Sequence, residues 1–290
     1  MPELPEVETI RRQLERTLGG RRVVEAGSHP SAKFTPARDV TGARLVTAGR
    51  RGKFLLLGTD DGRELVIHLG MTGALSFATA PDLDRDPHLR AWWRLVAADG
   101  GSEAPQERER EREEEGGEEE EVLLFHDVRR FGRIRVVTAG EYHGIPALAE
   151  AGPEPFDADL DGRRLWLNLS RSRRRLKTQL LSQRPIAGVG NIYADEALWL
   201  AGISPFTTSI GLARATRLLE ALRQVLGQGI DNGGTTFRDY RNLAGGSGSN
   251  QTALAVYGRA GAPCLRCGST LRSAVLDART TTWCPSCQRR

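Results

Sequence analysis

Cys264-Leu265-Arg266-Cys267 and Cys284-Pro285-Ser286-Cys287 stand sixteen residues apart near the end of the chain, and no other cysteine occurs. Two Cys-x2-Cys knuckles at this separation fit a tetrahedral four-thiolate site for one Zn2+, structural because thiolates fill every ligand position. Two disulfides would suit an oxidising compartment. The acidic, proline-containing N-terminus, however, lacks the basic and apolar regions of a secretory signal, and no apolar run approaches a membrane span. The expectation is a cytoplasmic protein whose last segment, 255–290, is a zinc ribbon too thin in its core to fold without metal. Arg266, Arg272, Arg279, Arg289 and Arg290 make that ribbon basic, which suits phosphate contact, although a ribbon used for protein contact has the same spacing.

Upstream of the ribbon the charge is unevenly spread. The 290 residues carry a net +4, yet residues 103–121 hold eleven Glu against three Arg, so the remainder carries +12. An excess of that size favours a polyanionic partner, because Lys and Arg neutralise phosphates and release counterions. Of the 41 basic residues only Lys33, Lys53 and Lys177 are lysine. Guanidinium does not give up a proton near neutral pH, so a chain this rich in arginine keeps lysine where a primary amine is needed or by chance.

Hydrophobic spacing gives the elements. Val7, Ile10, Leu14 and Leu18 predict a first helix over about Glu3–Leu18, with Gly19 as its stop. Short β-rich runs follow at Arg44–Ala48, Phe54–Gly58, Leu65–Leu69, Ala74–Phe77, Trp92–Ala97, Val122–Phe125 and Ile134–Val137. Their spacing predicts an antiparallel sandwich or barrel filling a first domain over 1–140. The Glu-rich segment 100–121 reads as a solvated insertion within it, with mimicry of DNA as a remote second use. From about Asp157 the pattern turns helical, and the helices predict a second domain over 155–245. Ala215, Leu218, Leu219, Leu222, Val225 and Leu226 mark its clearest helix, and Leu243–Gln251, rich in Gly, Ser and Asn, reads as a mobile loop or linker. The fold class is α+β.

Three motifs bear on chemistry. In Met1-Pro2-Glu3-Leu4-Pro5-Glu6, removal of Met1 would leave Pro2 with a free secondary amine that titrates near roughly 7.7–8.0, with Glu3 and Glu6 alongside as proton donors. Prolines near a terminus also simply start helices. Asp127-Val128-Arg129-Arg130-Phe131-Gly132 sets guanidinium groups beside an aromatic ring that can wedge into a base step, as can Met71 between Gly70 and Gly73; a strand-end core Phe is the plainer account. Gly188-Val189-Gly190-Asn191 precedes a helix whose N-terminus can bind phosphate, with Asn191 able to cap it.

PELPEVET, RRGKFLLL, HLGMTGAL, DVRRFG, GVGNIYADE, VYGRAG and the four-cysteine finger, in this order over nearly the whole chain, resemble the formamidopyrimidine-DNA glycosylases. The resemblance implies an N-terminal helix with a β-sandwich, a helix-two-turn-helix domain and a zinc finger around double-stranded DNA bearing oxidised or abasic sites. It implies that Pro2 attacks C1′ of a damaged nucleotide, that Glu3 assists base departure and ring opening, and that Lys53 donates a proton and holds phosphate. By the same resemblance Arg279 grips phosphate for a second elimination, and Met71, Arg129 and Phe131 fill the void left by the flipped base. Arg130, Lys177, Asn191, Arg173 and His88 match backbone contacts, and Glu6 and Tyr193 are expected among the DNA-contacting residues. The implied reaction is excision of oxidised purines such as 8-oxoguanine, then β- and δ-elimination. An endonuclease VIII-like taste for oxidised pyrimidines and a non-catalytic DNA-binding relative are the alternatives, and nothing demands more than a monomer.

Overall fold

Val7, Ile10, Leu14 and Leu18 form the buried stripe of α1 (Leu4–Leu18), the helix their spacing predicts. A computed structural model describes residues 2–79, 81, 83, 85–97 and 121–289; the acidic insertion, except Glu121, lies outside the described residues. The strands are β1 (Arg22–Ser28), β2 (Leu45–Arg51), β3 (Phe54–Thr59), β4 (Arg63–His68), β5 (Gly73–Ala78), β6 (Leu89–Val96), β7 (Glu121–Asp127) and β8 (Arg133–Thr138). They make two four-stranded antiparallel sheets, ordered β1-β6-β7-β5 and β2-β3-β4-β8. The apolar stripe of α1 joins Phe34, Leu57, Ile67, Trp93 and Phe125 in one core. Each such side chain contributes about 1.5–3 kcal/mol when fully buried. Trp93 donates its indole N–H to the Ala37 carbonyl at 2.9 Å, so its one polar atom is satisfied inside that core.

Seven of these eight strands coincide with the β-rich runs of the sequence, and β1 does not. Its pairing with β6 slips between Val23 and Glu25, and a bulge breaks the alternation that marks a half-buried strand.

The second core gathers α3 (Gly162–Ser170), α4 (Leu176–Leu181), α5 (Asn191–Leu200) and α6 (Leu212–Asp231), after a short helix α2 (Pro146–Ala149). Each core borrows from the other side: Leu4 of α1 packs in the helical cluster, whereas Tyr240 and Leu243, beyond α6, pack in the sandwich. No helix among the described residues is long and apolar enough to cross a membrane.

The Gly-rich stretch after Tyr240 is tied down rather than being a free linker. Asn242 accepts backbone N–H bonds from Ala244 and Gly246, Leu243 N–H reaches Gln13 of α1 at 2.8 Å, and Gly248 N–H reaches the Thr236 hydroxyl at 3.0 Å. Last comes the hairpin of β9 (Arg272–Leu276) and β10 (Arg279–Trp283). Asp277 and Ala278 turn it with φ of 48° and 58°, the left-handed pair of a two-residue hairpin loop. Only Val256, Cys264, Leu271 and Cys284 are buried in this third cluster, a core that cannot sustain a domain alone.

Candidate active site

Glu3, just before α1, reaches across to the start of α5. Its carboxylate accepts the backbone N–H groups of Gly190 at 2.7 Å, Ile192 at 2.9 Å and Tyr193 at 3.4 Å. These are the orphan donors of a helix N-terminus, where the dipole also favours an anion. Asn191 is therefore the first helical residue and not the cap, and the anion held by the Gly188–Asn191 turn is a carboxylate of the chain itself and not a phosphate. Gly190 is required sterically, because a Cβ there would overlap the Glu3 carboxyl.

Glu6 completes the arrangement from one turn along α1. It accepts the Glu3 backbone N–H at 2.7 Å, the Tyr193 hydroxyl at 2.9 Å and the Thr235 N–H at 2.7 Å. Tyr193 also meets the Thr235 hydroxyl at 3.0 Å, which in turn accepts from Asn250 at 2.9 Å. Burial, reinforced by the nearby Glu3 charge, pushes Glu6 up to about 7. Glu6 and Tyr193 are both buried; the expectation that they contact DNA is corrected, since they are the polar seam joining α1, α5 and the segment after α6. Pro2, buried at the start of the same segment, is positioned by this seam.

Lys53 approaches from the turn between β2 and β3, buried except for 8%. Gly52 N–H and the Arg50 and Arg51 guanidinium groups converge on Glu154, at 2.6, 2.6 and 3.3 Å, and fix that turn. Desolvation lowers the Lys53 pKa while Glu3 and Glu6 raise it and Arg279 lowers it, so the four groups share one electrostatic pocket. Arg279 is exposed at the head of β10.

Lys177 behaves differently from the expectation. Only 1% exposed, it directs its ammonium at Asp195 at 2.6 Å, the Thr281 hydroxyl at 2.9 Å and the Thr280 carbonyl at 3.0 Å. An ammonium has three donors and all are taken, so none remains for a lesion phosphate. Asn191 donates to the same Thr280 carbonyl at 3.1 Å, and Asp195 accepts the Thr282 N–H at 2.9 Å. Strand β10, and Arg279 with it, is thus gripped from α4 and α5.

On the sandwich side, two turns meet. Gly70, at φ +66°, packs so closely that a Cβ would lie 2.5 Å from Gly132 N. Asp127, fully buried, accepts the Thr72 hydroxyl and the Gly132 N–H, each at 2.6 Å, and Thr72 in turn accepts the Arg129 N–H at 3.0 Å. This brings Met71 beside Arg129 and Phe131. Phe131 is 48% exposed, with the Arg129 guanidinium 4.9 Å from its ring centre. The Arg130 carbonyl is held by Lys33 at 2.8 Å. His88 is exposed at the same end, its carbonyl accepting the Asp127 N–H at 3.0 Å, and Arg173 is exposed on the loop between α3 and α4.

The four cysteine Sγ atoms lie within 4.8 Å of one another, with Cys264 to Cys287 at 3.9 Å and Cys267 to Cys284 at 3.5 Å. A tetrahedron of roughly 2.3 Å Zn–S bonds needs edges near 3.8 Å, so the thiolates fit one structural zinc. Trp199 of α5 donates its indole N–H to Cys264 Sγ at 3.4 Å. Glu196 accepts three consecutive N–H groups, of Ala255, Val256 and Tyr257, at 2.8, 2.9 and 2.7 Å, and so anchors the chain entering the finger. Asp127, Thr235, Asp195 and Glu196 were not singled out from sequence. For the last two the adjacent acids within an otherwise apolar helix were the available signal.

Comparison with known proteins finds three matching segments. Residues 1–134 match the formamidopyrimidine-DNA glycosylase N-terminal domain, 151–241 its H2TH domain, and 261–290 a zinc finger found in FPG and IleRS. Formamidopyrimidine-DNA glycosylases of Thermomicrobium roseum and Thermus thermophilus are 42% and 41% identical, over 99% of this chain and 99% and 98% of theirs. The crystal structure of MutM (Fpg) from Thermus thermophilus superposes with a TM-score of 0.84 at 40% identity, covering 99% of this chain and 98% of that one. That of Lactococcus lactis Fpg with DNA containing an abasic site gives 0.83 at 29%, covering 99% and 100%. With the Glu3-capped helix, the clamped hairpin and the finger in place, the chain belongs to the formamidopyrimidine-DNA glycosylase family, a DNA glycosylase of base excision repair.

Proposed function

We propose that the protein excises oxidised purines such as 8-oxoguanine and formamidopyrimidines from duplex DNA and then cleaves the strand, with the Pro2 nitrogen, freed by removal of Met1, as nucleophile. The observation that carries this reading is the anchoring of the Pro2–Glu3 segment on the N-terminus of α5, beside Lys53 and Arg279. An α-amine in the range of roughly 7.7–8.0 is partly unprotonated at neutral pH. Its lone pair attacks C1′ as the glycosidic bond breaks, and the base leaves with the bonding pair and a proton. Protonation of the ring oxygen, a task for Glu3, opens the sugar and leaves a cationic iminium between Pro2 and C1′. Loss of a C2′ proton then expels the 3′ phosphate, a second elimination expels the 5′ phosphate, and water releases the enzyme.

In this scheme Lys53 donates protons and holds phosphate, while exposed Arg279, Arg173, Arg130 and His88 contact the backbone together with Asn191. Met71, Arg129 and Phe131 enter the space vacated by the nucleotide. The solved Lactococcus lactis relative was captured with abasic-site DNA, which supports a partner of this kind. The zinc takes no part in bond making; it stiffens the hairpin that presents Arg279.

Borohydride reduces the iminium to a stable amine. Incubation with an 8-oxoguanine:C duplex and borohydride is expected to give a covalent adduct, and without borohydride a δ-elimination product. Pro2→Gly should lose most of the adduct. Undiminished trapping by that variant would refute the Pro2 mechanism, and faster excision of thymine glycol would move the substrate to oxidised pyrimidines.

A further inference from the structure

Arg90 is a buried cation that the proposed chemistry leaves without a task. Only 3% exposed, it sits where β6 breaks register with β7: Leu89 faces His126 and Ala91 faces Phe125, so Arg90 is the extra residue of a β-bulge. A bulge re-aims a side chain out of the strand's alternation, and here Arg90 and Ala91 are buried in succession. Among the described residues no carboxylate is hydrogen-bonded to its guanidinium. Instead Nε donates to the Asp127 carbonyl at 2.9 Å, and Nη1 donates to the carbonyls of Pro87 at 2.9 Å and Leu89 at 3.1 Å. A buried charge is weak support for stability, but a planar fork with fixed donor directions sets the spacing of the groups it joins.

What Arg90 joins are two loops at one end of the sandwich. Pro87 and Leu89 flank the exposed His88, whereas Asp127 opens the turn that carries Arg129, Arg130 and Phe131. Asp127 also holds the Met71 turn through Thr72 and closes its own turn through Gly132, and the carbonyl that Arg90 meets accepts the Arg130 N–H at 3.4 Å. The other ties between the two loops are single bonds, from Asp127 N–H to the His88 carbonyl at 3.0 Å and between Asp86 and His126 at 2.7 Å. We propose that Arg90 is a positioning residue that makes the His88 backbone contact and the Met71, Arg129 and Phe131 wedge act as one unit, so that gripping the strand and entering the helix are a single event. This rests on the proposed glycosylase reading and adds to it a coupling between two of its DNA contacts. A side chain that bonds to the backbone on both sides transmits a displacement of either loop to the other, which neither His88 nor Phe131 can do by itself.

The test is a double-mutant cycle on the Kd for a duplex bearing a non-cleavable tetrahydrofuran abasic analogue, at one salt concentration. In the wild-type background His88→Ala and Phe131→Ala should each weaken binding about tenfold, and the double variant also about tenfold, because losing either contact already forfeits the other. In an Arg90→Met background the two losses should multiply to within about twofold. Arg90→Lys keeps the charge without the fork and should leave an intermediate coupling; if Arg90→Met does not fold, this variant decides, and coupling equal to wild type overturns the positioning role. Arg173→Ala, on the helical side, reports coupling carried by the DNA itself, and its loss should multiply with that of Phe131→Ala in the wild-type background. Multiplying losses for His88 and Phe131 in wild type, coupling that survives in Arg90→Met, or equal coupling of Arg173 to Phe131 each overturn the role of Arg90 and leave the glycosylase reading standing. Wild-type protein that binds the abasic-analogue duplex no more tightly than an undamaged one sinks that reading, and the coupling with it.

Discussion

Two pairs of buried acids meet on helix α5 and are treated in opposite ways. Glu3 and Glu6, arriving from α1, are satisfied by backbone N–H groups and a phenol, with no cation among the described residues in hydrogen-bond contact. Asp195 and Glu196, on α5 itself, meet a lysine ammonium and a run of three amides that secure the finger. Burial raises Glu6 to about 7 and Asp195 to about 6, so the two differ less in degree of perturbation than in its use. A carboxyl without a hydrogen-bonded cation can take up a proton near neutrality, which suits a site that must move protons. One locked to an ammonium suits a joint that must not move.

The contrast breaks most visibly at Lys177. Its replacement by Met leaves Asp195 buried without its cation, and a cost of about 3–5 kcal/mol is expected from chemical denaturation. The loss should be smaller at pH 5 than at pH 8, because protonation of Asp195 relieves it. A pH-independent loss would mean that the pair is not what holds β10.

Next comes the pH response of Glu6. Its folded pKa, about 7, lies above the ordinary 4.5, so the folded state keeps the proton more tightly. The associated stability is complete below about pH 4.5 and is lost as pH rises through 7, by about 3 kcal/mol at 1.36 kcal/mol per unit. Glu6→Gln cannot titrate, and its stability should fall less between pH 5 and pH 8 than that of wild type. Equal slopes would place the proton elsewhere in the seam.

The smallest effect is expected at Glu196. Glu196→Gln keeps an acceptor but removes the charge facing three amides, a change of roughly 1–2 kcal/mol. It should speed zinc release to a chelator while leaving the unfolding of the helical core unchanged. A shift of the whole transition would show that the finger and α5 unfold together.

Much of this was readable in the chain because the signals are local: α1, seven strands of the sandwich and the cysteine knuckles each declare themselves within a few residues. What stayed hidden depends on partners far apart in sequence. Asn191 has the right chemistry for a cap, but Glu3, nearly 190 residues earlier, reaches the amides first. Lys177 reads as a phosphate ligand until Asp195 and Thr280–Thr281 are seen to use all its donors. The Gly-Ser-rich stretch reads as a linker because its order comes from backbone bonds to Asn242, Thr236 and Gln13 rather than from apolar side chains. Strand β1 was concealed by its own bulge.

The exchange of residues between the two cores has a consequence for how the protein comes apart. A fragment ending after β8 would lack Tyr240 and Leu243 and carry a hole beside α1, while one beginning at the helical region would lack Leu4 and the carboxylate that caps α5. Neither half is a self-sufficient unit, so sandwich and helices should melt in a single transition and regain order only when both are present. Assembly of the end that carries Pro2 and Glu3 is then the same event as completion of folding, and a partly folded chain does not present them on α5.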